Sequence, residues 1–296
     1  MGRVGKVGLV GKVGKVGKVG KVGLVGMVGM VGKVGKVGRV GRVGRVGIII
    51  FCLLAVVSSC RQASSQSRPA ATVCDSNAWR WDIALPQVAD SIPQQILWRK
   101  AYVESYNKET RQPNWVAWKL TANHADGPIE RPATAWHDDK DVPQPRAYYQ
   151  DYKGLSDNGK RWDRGHMCPA GDNKWDSTAM YESFLMTNAC PQDKALNSGI
   201  WNQIEMRCRQ WARQYGEIYI ICGPLFFDQE HDTIGTHRIP VPEAYFKVVL
   251  CLDDEHPWSK GYICRNNEGF RKRDLYENSV EEVESITGIK LFPKKE

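Results

Sequence analysis

The chain has 296 residues, with 41 Lys and Arg against 33 Asp and Glu, a formal net charge of +8 and a pI near 9.0. Eleven of those basic residues and no acidic one fall within residues 1–59, so the remainder holds 30 basic and 33 acidic residues, a net charge near −3. Bulk attraction to nucleic acid is therefore excluded as an argument, and affinity for phosphate has to come from a local patch or a bound metal.

From Val4 to Gly47 a Val-Gly-X triplet repeats without a break, X being Lys, Arg, Leu or Met. Valine and glycine alone build no packed core, and so much glycine carries a large ordering entropy. Glycine at every third position suits a collagen helix only with abundant proline, and the stretch has none. Residues 1–47 read as low-complexity, disordered sequence, or as a translation start placed ahead of an initiator at Met27 or Met30. Ile48 to Val57 is an apolar run preceded by Arg39, Arg42 and Arg45 and followed by Ser58-Ser59-Cys60. Ten apolar residues are too few to span a bilayer. Basic residues, a short apolar core and small residues describe a signal peptide over 48–60. Cys60, directly after the small residues, resembles a bacterial lipoprotein cysteine, which predicts export and a lipid tether to a membrane. Ordinary cleavage nearby, with Cys60 unmodified, is the plainer alternative. In an exported chain the cysteines left are Cys74, Cys168, Cys190, Cys208, Cys222, Cys251 and Cys264, an odd number of which at most six could pair. No CxxC spacing occurs among them, which argues against a structural zinc site.

Residues 61–95 open on Ser, Ala, Gln and Pro and read as a linker, and 96–296 as one mixed domain. The alternation at Trp115 to Leu120 predicts a strand. Residues 123–150 are rich in Asp, Pro and His and predict a long loop. Gly216 to Pro224 and Ala244 to Leu252 read as buried strands. Ile200, Ile204, Cys208, Trp211 and Tyr215 recur at helical spacing on one face, with Asn197 and Ser198 suited to cap the helix start. Further helices are predicted over 177–185 and 278–286. Strands and helices mix without strict alternation, which gives an α+β class.

The chemistry concentrates in Arg161-Trp-Asp-Arg-Gly-His-Met-Cys-Pro-Ala. Hydrolysis of a phosphodiester needs an activated water and relief of charge on the phosphate and the leaving oxygen. His166 titrates near neutrality and can take the water's proton. Arg164 can grip phosphate oxygens with two donors, and Gly165 between them permits close backbone approach. Asp163 and Arg164 could equally be a plain ion pair.

Asp163-Arg-Gly-His166, Thr187-Asn-Ala-Cys-Pro-Gln192, Leu196-Asn-Ser-Gly199 and Trp201 through Glu205 together resemble the DNA/RNA non-specific endonuclease family, whose members include secreted bacterial nucleases and the mitochondrial endonuclease G. The resemblance runs from about Ile96 to Phe292. It implies the ββα-metal or His-Me finger fold, a mixed sheet core with flanking helices. It further implies His166 as general base and Asn197 as the one direct protein ligand to Mg²⁺, with Mn²⁺ as a substitute. Glu205 would hold the ion's waters, and eight residues of regular helix would put it about 80° from Asn197. Arg164 would contact phosphate, Asn188 would orient the site through the backbone near His166, and Arg131 is the nearest candidate for a second phosphate-binding arginine. DNA and RNA substrates held through their phosphate backbones would be cut with little sequence preference. A homodimer is compatible with the family. Cys168 and Cys190 each lie two residues past a site residue, so a disulfide between them, or from one of them to Cys208, is a further expectation. A nucleic-acid-binding module, a cell-surface interaction module on the same fold and a phosphodiesterase of small nucleotides are the competing functions. The intact His166, Asn197 and Glu205 argue against the non-catalytic readings.

Overall fold

The computed structural model describes residues 83–133, 135–267, 269 and 272–293. The triplet repeat, the signal segment, Cys60 and Cys74 lie outside the described residues. In chain order the strands are β1 (Gln95–Trp98), β2 (Val103–Asn107), β3 (Gln112–Thr121), β4 (Asp163–His166), β5 (Ala189–Gln192), β6 (Glu217–Leu225), β7 (Thr233–Ile234), β8 (Ile239–Pro240), β9 (Ala244–Cys251), β10 (Trp258–Arg265) and β11 (Glu277–Asn278). The helices are α1 (Ser177–Ser183), the single turn α2 (Lys194–Leu196), α3 (Asn202–Tyr215) and α4 (Val280–Thr287), with a π-type turn at Asn197–Trp201 between α2 and α3.

Seven strands form one sheet in the order β1-β2-β3-β6-β9-β10-β11, and β4–β5 and β7–β8 form two small sheets. Every pair is antiparallel, where the sequence reading had a mixed sheet. Neighbours are joined by hairpins or by long returns, so no crossover of the kind a parallel pair requires is used.

Side chains alternate across the sheet, and both faces are covered. Val116, Trp118 and Leu120 of β3, Ile218, Ile220 and Cys222 of β6, and Tyr245 and Val249 of β9 bury against Ile200, Ile204, Cys208, Trp211 and Ala212 from the turn and α3. The interleaved residues Trp115, Ala117, Tyr219, Ile221, Phe246 and Val248 face Val280 and Val283 of α4 together with Ile289 and Leu291. Ile83, Leu85 and Val88, inside the stretch expected as linker, pack on this second face, and Gln87 pairs with Lys290 through two backbone hydrogen bonds of 2.9 Å. The apolar stripe predicted for the long helix is the face α3 buries; its final residue, Tyr215, is half-buried at the edge of the cluster. The helix ends at Gly216, whose φ of 84° suits glycine. α4 opens with a capping box between Ser279 and Glu282.

Candidate active site

β4, β5 and the helical segment after them form a ββα unit on the first face of the sheet. The register sets Asp163 opposite Gln192, Arg164 opposite Pro191, Gly165 opposite Cys190 and His166 opposite Ala189. A Cβ on Gly165 would lie 2.2 Å from the Gln192 Oε1 and 2.6 Å from its Cβ, so glycine is what lets the two strands close. Asn188, fully buried, clamps the chain just past His166. Its Oδ1 accepts from the Cys168 amide at 2.8 Å, and its Nδ2 donates to the carbonyls of Cys168 and Ser183 at 2.8 Å each. The Met167 amide donates to the Asn188 carbonyl at 2.9 Å. The backbone downstream of the imidazole is thereby fixed from both sides.

The His166 ring packs between Trp136, 4.4 Å centroid to centroid and tilted, and Phe184, 4.9 Å away and edge-on. Its Nε2 is buried with no hydrogen-bond partner among the described residues. Burial, and then the charges of Arg131 and Arg164, lower its pKa to about 3, so the ring is neutral at pH 7 with a free lone pair, but is a weaker base than the near-neutral titration expected from the sequence. The two arginines reach the ring from different places. Arg164 lies 4.9 Å over Tyr149 and 5.9 Å over Trp136, and Arg131 lies 5.0 Å over Phe184. With Ala135 they line a cleft of about 270 Å³. Two guanidiniums are thereby held on aromatic faces at one cleft, and the Arg164 Nε is buried with no hydrogen-bond partner among the described residues.

Contrary to the sequence reading, neither Asn197 nor Ser198 caps the start of a helix; Asn197 is the C-cap of α2. Asp193 caps the preceding turn through Oδ1, and Asn197 sits at the start of the π-type turn. The Asn197 Nδ2 donates to Asp163 Oδ2 at 3.1 Å, which sets the orientation of its amide and leaves Oδ1 as the acceptor. Asp163 is thus a partner of Asn197, a role the sequence did not assign it when it offered an ion pair with Arg164 as one alternative. The kink at Gly199 also removes the regular-helix basis for placing Glu205 at 80° from Asn197. Glu205 is largely buried near Lys247, its Oε1 3.8 Å from Nζ. Burial raises the Glu205 carboxyl to about 6, with Lys247 pulling it down. A neutral amide oxygen whose orientation is fixed by Asp163 suits a hard cation that keeps most of its water.

The expected disulfide is absent. Cys168, Cys190 and Cys208 are buried free thiols, as are Cys222, Cys251 and Cys264. Burial pushes the Cys208 and Cys222 thiols up to about 12, and these side chains act as small apolar residues of the core. Trp136, Tyr149, Phe184 and Trp201 complete the surroundings of the site, and of these only Trp201 fell within a motif singled out in the sequence. They come from loops and turns, where no periodicity marks them.

Residues 83–296 match the model of the DNA/RNA non-specific endonuclease family. The mitochondrial nuclease EXOG of Homo sapiens is 32% identical over 205 residues, covering 64% of this chain and 54% of that protein. Mitochondrial endonuclease G of Bos taurus is 32% identical over 176 residues, 56% of each chain. Nuclease C1 of Cunninghamella echinulata is 28% identical over 217 residues, 68% of this chain and 84% of that one. The chain thus spans about half the length of the EXOG and endonuclease G relatives. Among solved structures, one of the EndoG/EndoGI complex superposes with a TM-score of 0.62 at 24% identity, over 69% of this chain and 87% of that one, a likeness of fold. With the ββα unit on its sheet and the family match across the described residues, the chain belongs to the DNA/RNA non-specific endonuclease family.

Proposed function

We propose that this protein is an exported, Mg²⁺-dependent endonuclease that hydrolyses phosphodiester bonds of DNA and RNA with little sequence preference. The observation that carries the reading is a neutral, buried imidazole at His166 between two arginines that line one cleft, on a strand tied by Asp163 to Asn197. The signal-like run Ile48 to Val57 supports export, and Cys60 supports a lipid tether.

In this reading Arg164 and Arg131 grip the phosphate oxygens and fix the scissile group without reading bases. His166 takes a proton from water, the water oxygen bonds to phosphorus, and the bond from phosphorus to the O3′ leaving oxygen breaks. The products are a 5′-phosphate and a 3′-hydroxyl, the leaving oxygen taking up a proton. Asn197 Oδ1 would hold Mg²⁺, which would supply Lewis acidity for the negative charge that develops on the leaving oxygen. Glu205 orients water at the site, and Asn188 keeps His166 on a fixed backbone.

Supercoiled plasmid and total RNA, incubated with protein from residue 61 onward and either Mg²⁺ or EDTA, test this directly. Metal-dependent degradation is expected, with His166→Ala slower by about two to four orders of magnitude. A protein that binds plasmid but never nicks it with Mg²⁺, Mn²⁺ or Ca²⁺ would be a binding module instead.

A further inference from the structure

Lys247 lies on β9 between Tyr245 and Val249, and the alternation of the strand turns all three toward the face that carries the site. Its side chain is only 1% exposed. Nζ makes no hydrogen bond to any described residue. It sits 4.2 Å from the Trp201 ring centroid and 5.5 Å from that of Trp118, held on two aromatic faces. A buried ammonium with no acceptor is costly unless a charge answers it.

Two carboxylates lie near enough to answer. Asp172 is already committed, accepting from Arg209 at 2.8 Å and from the Trp118 indole at 3.1 Å. Glu205 is the other, its Oε1 3.8 Å from Nζ. Trp201, on which the ammonium rests, donates its indole N–H to the His166 carbonyl at 3.4 Å. One side chain from the sheet therefore meets the helical arm of the ββα unit at Trp201 and Glu205, and Trp201 in turn bonds to the strand that carries His166.

We propose that Lys247 is a positioning residue for metal-dependent cleavage: it anchors the Glu205 carboxylate through Oε1, leaving the second oxygen to receive hydrogen bonds from cation-bound water. The proposal rests on the metal-dependent reading of the site given above. Lysine in this core position is then explained by function, since an apolar residue of similar length would fill the space at lower cost.

The test is Mn²⁺ binding to the full-length protein without nucleic acid, followed by electron paramagnetic resonance, alongside rates of plasmid nicking. Lys247→Met is expected to weaken Mn²⁺ binding about tenfold or more, the usual scale for losing a partner of a metal-site residue. Its kcat should fall while KM for plasmid stays within about twofold, because the phosphate-binding arginines are untouched. A folded Lys247→Met variant with unchanged or tighter Mn²⁺ affinity overturns the proposal. The pair Glu205→Gln and Glu205→Gln/Lys247→Met guards against misfolding from an unpaired carboxylate. Equal Mn²⁺ affinities in the pair support an action through Glu205, and a further loss in the double variant overturns it. A wild-type protein that binds Mn²⁺ but cuts nothing sinks the nuclease reading and leaves the binding comparison to judge Lys247 alone.

Discussion

Asp163 shows how one side chain can set the chemistry of another that is 34 residues away in sequence. An asparagine amide is symmetric enough in shape to present either nitrogen or oxygen, and only oxygen binds a hard cation. By accepting from Nδ2, the Asp163 carboxylate decides the question for Asn197. Asp163→Ala should therefore weaken Mn²⁺ binding by about tenfold, and Asp163→Asn, which keeps an acceptor, should retain most of it; titration calorimetry on the two variants checks this. Equal losses in both would point to the carboxylate's charge as the cause. His166 and Arg164 could be read from the sequence because they share one short strand with Gly165. The Asp163–Asn197 bond and the place of Lys247 could not, since each depends on contacts made only in the folded state.

The π-type turn is the element on which the proposed metal ligand is mounted. Gly199 within it packs so closely on the neighbouring loop that a Cβ would lie 2.9 Å from the Gly269 carbonyl oxygen, and the Ile200 amide donates to that same oxygen at 3.1 Å. Gly199→Ala should cost about 1–3 kcal/mol of stability through overpacking and should lower nicking activity by displacing Asn197. Urea unfolding beside the plasmid assay would show both effects, and a variant that nicks at the wild-type rate would free Asn197 from this constraint. The α3 stripe was legible because its residues bury on one side of a long helix. The distorted turn before it was not, because Ile200 and Ile204 are four residues apart whether or not the first turn is regular. β4 and β5 escaped for a related reason: each is four residues long, and no alternation of exposed and buried side chains marks them.

At the scale of the whole molecule, the sheet is joined to the site by a buried charge cluster. Arg99 pairs with Glu104 at 3.4 Å and with Asp139, and the Thr187 hydroxyl lies 2.9 Å from Glu104 Oε1 and 2.7 Å from Asp139 Oδ2. One hydroxyl hydrogen cannot serve two carboxylates, so a second proton is favoured there. Burial accordingly pushes the Glu104 carboxyl up from its ordinary 4.5 to about 7, with Arg99 opposing. The folded state then holds a proton that the unfolded chain releases near pH 4.5, so this group's contribution to stability is full below that pH and is lost as pH rises through about 7. The loss should be on the order of 3 kcal/mol. Glu104→Gln, neutral throughout, should lack that part of the decline when urea unfolding is compared at pH 5 and pH 8; parallel pH dependences in the two proteins would count against it.

Partition of the sheet into two faces also governs how the chain could be rewired. The site occupies one face, and the paired segments around Gln87 and Lys290 occupy the other. Two points so distant in sequence and so close in space can be bridged by a short linker on the face away from the site, and new termini opened elsewhere. A circularly permuted version, or one grafted to a solid support through this seam, would leave the cleft between Arg131 and Arg164 uncovered.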